Sequence, residues 1–305
     1  MNFRPVTPSD YPELTRFFEH QTHRICVYSL PSLLVWYNDL YQPFAAADGD
    51  SLYIGAEYTV KKQDRHLILP VSPDRDFSPE ELSRLARSLG FCSYWFVPEH
   101  YIDSRGRSDV EAYFTIKAQP QFDDYIYLTE DLALLKGNRY AKKRNLIRQF
   151  HRHYLSKGRV QTETITPDNA AECLVFLEQW CESRDCDIKQ DEDLTCEKQA
   201  VTHMMEHIDR FPVHSRLVRI DGQVSAFAVT ARLTDDMAVM HFEKAYTHIR
   251  GLYQFLDNQC AKDLVGRYRY LNKESDMNLP GLAKSKQSYH PVEKVKSFEL
   301  IVRQD

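Results

Sequence analysis

Apolar residues return along this chain at two spacings, and each spacing predicts a different element. Leu82, Leu85, Ala86 and Leu89 lie three and four positions apart, which gathers them on one face of a helix. Ser78-Pro79-Glu80-Glu81 stands before them and Gly90 after, a capped start and a glycine stop. Phe298, Leu300 and Val302 instead alternate with polar residues, the period of a half-buried strand. Arg216-Leu217-Val218-Arg219-Ile220 meets Asp221-Gly222 and then Val224-Ser225-Ala226-Phe227-Ala228-Val229. That pattern predicts a β-hairpin, because glycine tolerates the positive φ of a tight turn. Met237-Ala238-Val239-Met240-His241-Phe242-Glu243 predicts the next strand. Arg250-Gly251 then opens a helix over about 252–264, followed by Tyr268-Arg269-Tyr270-Leu271, a polar loop and the final strand.

Two similar openings organise these elements. Val6-Thr7-Pro8-Ser9-Asp10 leads to Leu14, Phe17 and Phe18, and Ile165-Thr166-Pro167-Asp168-Asn169 leads to Cys173, Phe176 and Leu177. Each predicts a short strand, a threonine N-cap, proline at the first helical position and an amphipathic helix. β-Rich runs follow in both halves, the first at Ser51-Leu52-Tyr53-Ile54-Gly55-Ala56-Glu57 and 65–71. The order mixes antiparallel hairpins with later helix crossings, so the expected class is α+β with one mixed-sheet domain per half. The expected division is 1–155 and 156–305, with a basic helix over about 138–155 ending the first domain.

Composition narrows the class. A chain of 305 residues with 43% hydrophobic and 27% charged residues, 10 Gly and 14 Pro is globular rather than disordered or collagenous. Its longest run without a charge, 25–38, is interrupted by Pro31 and too short to span a bilayer. Met1-Asn2-Phe3-Arg4-Pro5 does not lead into the apolar core of a signal peptide. Seven scattered cysteines suit reduced thiols, so a cytoplasmic protein is expected.

Charge changes the picture more. The net charge is −5, yet 132–162 contains no acidic residue and nine basic ones, among them Lys136, Arg139, Lys142, Lys143, Arg144, Arg148 and Arg152. Such a run is either a solvated helix face or a phosphate-binding stripe. On a helical wheel Tyr140, Ile147, Phe150 and Tyr154 share an apolar face. Lys142 and Arg148 lie away from its centre, whereas Lys143 falls inside it and must snorkel or reach into a groove.

Several strings resemble one family, the C-terminal domain of phosphatidylglycerol lysyltransferase. They are Lys136-Gly137-Asn138-Arg139, Lys142-Lys143-Arg144-Asn145, His241-Phe242-Glu243-Lys244-Ala245 and Arg250-Gly251-Leu252-Tyr253-Gln254. Asn272-Lys273-Glu274-Ser275-Asp276, Gly281-Leu282-Ala283-Lys284-Ser285-Lys286 and Ser288-Tyr289-His290-Pro291 complete them. The resemblance implies tandem acyl-CoA N-acyltransferase-like (GNAT-like) domains. It also implies transfer of an amino acid from aminoacyl-tRNA to an acceptor such as a phospholipid.

The residues bear on that chemistry directly. Acetyltransferases of this fold hold coenzyme A pyrophosphate on amides of a Gln/Arg-x-x-Gly-x-Gly/Ala turn. Here His248-Ile249-Arg250-Gly251-Leu252-Tyr253 keeps one glycine and puts a bulky tyrosine at the second small position, which disfavours coenzyme A; no cofactor is expected. Glu243, Asp276 and Lys286 are the candidate catalytic residues, placed at or after strand ends where sheet enzymes commonly gather ligand groups. Tyr253, Asn272, Glu274, Ser288 and Tyr289 are the candidate substrate contacts, with Lys142, Lys143, Arg144 and Arg148 for RNA phosphates. An aminoacyl ester is already activated, so positioning and oxyanion stabilisation would suffice. No Ser/His/Asp order is legible.

Two patterns are read as incidental. His203-Met204-Met205-Glu206-His207 has the spacing of an inverted zinc-protease motif, but Val201, Met204, Met205 and Ile208 form its buried stripe, and both histidines should face solvent. Cys181, Cys186 and Cys196 fit no common zinc spacing, so no metal site is expected. The expected function is aminoacyl transfer to an unidentified acceptor. The alternatives are a coenzyme A-dependent N-acyltransferase and a non-catalytic protein that binds RNA or an anionic surface.

Overall fold

The computed structural model describes residues 1–58, 64–182 and 192–304, with backbone alone for 192–196. The first half supplies strands β1 (Arg4–Pro5), β2 (Tyr41–Asp48), β3 (Ser51–Tyr58), β4 (His66–Leu67), β5 (Ser93–Pro98), β6 (Phe114–Ala118) and β7 (Asp124–Leu128). Its helices are α1 (Tyr11–Leu14), α2 (Leu30–Val35), α3 (Pro79–Leu89), α4 (Glu99–Arg105), α5 (Arg107–Glu111), α6 (Thr129–Leu134) and the basic helix α7 (Ala141–His153). The second half supplies β8 (Val160–Glu163), β9 (His214–Ile220), β10 (Gln223–Arg232), β11 (Met237–Ala245), β12 (Tyr270–Asn272), β13 (Glu293–Val295) and β14 (Ser297–Val302). Its helices are α8 (Pro167–Glu182), α9 (Glu192–Glu206), α10 (Leu252–Leu264) and α11 (Pro280–Gln287).

Local signals set many of these boundaries. Ser78 and Glu81 form a reciprocal capping box at the start of α3, and Gly90 ends it at φ 72°. Hydrogen bonds from Ser78 and an ion pair with Arg75 hold the Glu81 carboxyl down at about 2. Asp221 and Gly222 both take positive φ between β9 and β10, the geometry of a tight hairpin turn. The two Thr-Pro openings diverge, however. Thr166-Pro167 begins the continuous helix α8, whereas Thr7-Pro8 begins a broken series of short turns, Pro8–Asp10, α1 and Thr15–Phe18. Pro12 lacks the amide that a continuous helix would need there.

The strands form two mixed seven-stranded sheets, the expected tandem α+β arrangement. The first runs β1-β2-β3-β4-β5-β14-β6 and the second β13-β7-β12-β11-β10-β9-β8. Among the described residues only β4 with β5 and β11 with β12 pair in parallel. The sheets do not divide at residue 155. β14, from the end of the described chain, lies between β5 and β6 of the first sheet, with Leu300 fully buried. β7 crosses the other way and pairs with β12 and β13, burying Tyr125, Ile126 and Tyr127. Strand exchange of this kind is set by pairing partners far away in sequence, which no local period reveals.

Side-chain alternation covers the second sheet on both faces. Leu217, Phe227, Val229 and Phe242 enter a core shared with the first sheet, including Tyr28, Leu34 and Leu300. Val218, Ala226, Ala228 and Met240 face a second core built with Phe150 of α7 and Leu252, Phe255 and Leu256 of α10. Val201, Met204, Met205 and Ile208 of the α9 region are all buried, as their spacing requires. His203 does not face solvent. It stacks 3.8 Å from Tyr37 and its Nδ1 lies 3.0 Å from the Val35 carbonyl, because the end of α2 docks against α9.

The exchange makes β14 a structural strand of a sheet whose other members all precede residue 119. Leu300→Ala should therefore lower unfolding free energy by about 2–5 kcal/mol, the range for an emptied core position. Urea unfolding measures this; a change below about 1 kcal/mol would show that β14 is dispensable.

Candidate functional site

β12 ends early. It pairs with β11 only through Met237↔Tyr270, Ala238↔Leu271 and Val239↔Asn272, while β11 continues to Ala245. The wedge that opens beyond Asn272 is occupied by polar side chains from several segments. At its centre the Lys273 Nζ lies 2.7 Å from Asp257 of α10 and 3.0 Å from Glu243 of β11. Two carboxylates around one buried ammonium hold Lys273 protonated well above its ordinary value, against the burial that opposes its charge. Burial pushes the Glu243 carboxyl up, and Lys273 moderates that shift. Tyr289, which follows α11, places its ring 5.1 Å from the same ammonium, and burial raises its hydroxyl strongly.

A second lysine locks the loop after β12. Lys286 Nζ donates to the Lys273 and Glu274 carbonyls, and burial lowers its ammonium. Glu274 sits at φ 57°, a left-handed position that this clamp helps to hold. Asp276 accepts at 2.5 Å from the Tyr125 hydroxyl and at 2.9 Å from the Asn278 amide.

The first half closes the site from the other side. Asn272 donates to the Arg24 carbonyl and to Asp124 Oδ2, both at 2.8 Å, and the same Oδ2 accepts from the Cys26 amide at 2.7 Å. Asp124 is fully buried, its Oδ1 has no hydrogen-bond partner among the described residues, and desolvation pushes its carboxyl up to about 6. A β-bulge does the rest. Val229 pairs with Phe242 and Thr230 with Met240, which leaves His241 as the extra residue and re-aims it. His241 Nδ1 then lies 3.1 Å from Glu274 Oε1 and its Nε2 lies 2.9 Å from Ser29 Oγ. This is the order of a nucleophile, base and orienting acid. Ser29 is only 1% exposed, however, so the chain ties the two halves together rather than presenting a hydroxyl to solvent.

The structure thus gathers Glu243, Asn272, Glu274, Asp276, Lys286, Ser288 and Tyr289 around one wedge, though most are engaged with one another. Tyr253 stands apart, packed half-buried against the α7–α10 core. Lys273, Asp257, Asp124, His241 and Ser29 escaped the sequence reading. Asp257 had a signal: an acid in line with Cys260 and Leu264 on the apolar side of its helix. A cavity of about 240 Å³ lies elsewhere, between Tyr11, Phe18 and Leu30 of the first half and Ala231 and Leu233 of the second.

The basic helix lies across this site. Gly251, at φ 85°, lets the start of α10 approach α7 so closely that a Cβ there would overlap the Leu146 carbonyl oxygen. Arg144 does not face outward. It donates to the Leu135 and Gly137 carbonyls and so stitches the turn after α6. Arg139 pairs with Asp131 and Arg159 with Asp221. Lys143 turns inward, donating to Ser288 Oγ at 2.7 Å with its Nζ 3.5 Å from the Tyr289 ring centroid. Lys142, Arg148 and Arg152 remain exposed, without an ion-pair partner among the described residues.

Among the described residues no group of three His, Cys, Asp or Glu side chains is arranged to hold a metal ion. Cys181 is buried; Cys186 and the side chain of Cys196 lie outside the described residues. Nor is any described helix long and apolar enough to cross a membrane.

The family model described as "Phosphatidylglycerol lysyltransferase, C-terminal" matches residues 81–300. A conserved protein of unknown function from Bacteroides thetaiotaomicron is similar at 27% identity over 99% of this chain and 100% of its own, with a TM-score of 0.87. The C-terminal domain of a lysylphosphatidylglycerol synthetase from Agrobacterium fabrum shares the fold at 13% identity, over 97% of this chain and 92% of its own, with a TM-score of 0.62. A tandem GNAT protein from the clavulanic acid biosynthesis pathway aligns at 10% identity over 100% and 99%, with a TM-score of 0.47. No curated protein matches the chain.

Asp124 offers a test of the site's electrostatics. A carboxyl raised from its unfolded value near 4 to about 6 adds stability that is complete below pH 4 and lost as pH rises through 6. Asp124→Asn keeps an acceptor for Cys26 and Asn272 but carries no charge. Its stability relative to wild type should therefore rise between pH 4 and pH 7, by on the order of 2 kcal/mol. Thermal melts across that range check the slope; parallel curves would mean that Asp124 is not desolvated.

Proposed function

The chain belongs to the phosphatidylglycerol lysyltransferase C-terminal family, and from that premise we propose that it transfers an aminoacyl group from aminoacyl-tRNA to an acceptor amine or hydroxyl. One observation carries this reading. The helix that presents Lys142, Arg148 and Arg152 to solvent is the same helix that sends Lys143 to Tyr289 and Ser288 at the wedge. A phosphate-binding face and the candidate site are two sides of α7, which suits a donor whose reactive ester is attached to a polyanion. The wedge residues are polar and largely buried, an environment that strengthens hydrogen bonds to a developing oxyanion.

Coenzyme A is the less favoured donor. The turn where its pyrophosphate would bind is the one packed against Leu146, and Tyr253 adds bulk beside it. An aminoacyl ester needs no such turn. The acceptor is set by chemistry alone here: a nucleophilic nitrogen or oxygen able to reach the wedge.

Filter binding of lysyl-tRNA at several salt concentrations tests the donor. Lys142→Glu with Arg148→Glu should weaken binding and reduce the slope of log affinity against log salt by about one for each cation removed. Arg144→Gln should instead affect stability, since its contacts are internal. Loss of binding to phosphatidylglycerol vesicles with unchanged tRNA affinity would assign the stripe to a membrane surface. Turnover of acetyl-CoA would select the coenzyme A reading, and failure of the wild type to bind either polyanion at low salt would leave a solvated helix.

A further inference from the structure

The carboxylates and lysines in the wedge differ in what their neighbours leave free. Lys273 is held between two carboxylates and stays charged. Glu243 is tied to Lys273, Asp276 accepts from Tyr125 and Asn278, and Lys286 is clamped on two carbonyls. Lys143 has no carboxylate partner among the described residues. Ser288 uses its own proton on the Ser285 carbonyl at 2.6 Å, so it meets Lys143 only as an acceptor. The Tyr289 ring covers one side of the ammonium, and the residue as a whole is only half-buried.

We propose that Lys143 is the general base of the transfer, taking the proton of the acceptor amine or hydroxyl as it attacks the donor ester, rather than a contact to RNA phosphate. The inference rests on the aminoacyl-transfer reading. In the step, the acceptor nitrogen or oxygen bonds to the ester carbonyl carbon and its proton passes to the neutral Nζ. The ester C–O bond then breaks and the departing ribose oxygen takes that proton, so Lys143 is regenerated without an oxidant or another co-reactant. One helix thereby places the donor's phosphates outside and the proton acceptor inside.

The groups facing Lys143 suit this task. Burial pulls its ammonium down to about 8, with Lys273 acting in the same direction and Asp257 and Glu243 opposing. Ser288 and Tyr289 are the polar groups that touch it from beyond α11. A lysine so placed is partly neutral at physiological pH, the condition for general-base work. A phosphate contact gains nothing from losing charge.

The experiment has two arms. Trace acetylation of the wild-type protein with acetic anhydride, read by peptide mass spectrometry across pH 6–11, reports the neutral fraction of Lys143 without any substrate. Its half-reaction pH should lie at least one unit below that of free Nα-acetyllysine. In the second arm, transfer from lysyl-tRNA is followed with phosphatidylglycerol vesicles or free glycine as acceptor. Lys143→Arg keeps the charge and reach of a phosphate contact but cannot accept the proton, so it should lower transfer by at least about 100-fold with tRNA affinity changed less than about threefold. The wild-type rate should rise to a plateau above about pH 8, and that limb should vanish in Lys143→Arg. Retained transfer in Lys143→Arg, or a labelling curve like that of free lysine, overturns the assignment. A displaced labelling curve with no transfer by the wild type overturns the aminoacyl reading alone.

Discussion

Everything around the wedge depends on one buried ammonium held between two carboxylates. Lys273, Glu243 and Asp257 come from the end of β12, the end of β11 and the middle of α10. Removing one partner of such a group leaves an unpaired buried charge, which costs about 3–5 kcal/mol, so the three segments are fixed relative to one another. The parting of the parallel strands follows from the same arrangement. An apolar wedge would close on itself, whereas this one must keep three charged groups hydrogen-bonded. The two carboxylates outnumber the Lys273 charge, and burial answers the excess by pushing the Glu243 carboxyl up.

The fold and the site were legible to different depths. The start of α3 could be read because Ser78, Glu81 and Gly90 act within a few residues, and the β9–β10 turn because Asp221 and Gly222 need positive φ. The helix expected over 252–264 is α10 itself. β14 was legible as a strand from Phe298, Leu300 and Val302, but not as a strand of the first sheet. Its partners, β5 and β6, lie some two hundred residues earlier, and alternation names a buried face without naming the neighbour. His241 shows the same limit more sharply. Strict alternation would set it on the face of Glu243; the bulge gives it to Ser29 instead, and a bulge depends on how two strands register.

The run of basic residues illustrates what composition can hide. As a count it is nine charges without an acid; in space it is three groups with separate consequences. Arg139, Arg144 and Arg159 bind the chain's own carboxylates and carbonyls, which fixes both ends of the α7 segment. Lys143 points into the wedge, where the wheel placed it among apolar neighbours. Only the remainder, including Lys142, Arg148 and Arg152, gives the acidic protein a cationic surface. That surface is therefore smaller than the sequence suggests, and its side chains stand on a helix whose backbone is held at both ends.

The mounting itself depends on Gly251. Its backbone touches the Leu146 carbonyl, so α7 sits directly on the first turn of α10, and Phe150 lies 4.8 Å from Phe255 across the same contact. α10 carries Asp257 one turn and a half further on, and Asp257 holds Lys273. The outward cations, Lys143 and the buried ammonium are thus connected through two helices pressed together at a residue with no side chain. Gly251 admits another helix, and that helix brings both the outward cations and the inward amine. What a residue without a side chain supplies is only close backbone approach; the neighbour that takes the space decides what that approach does.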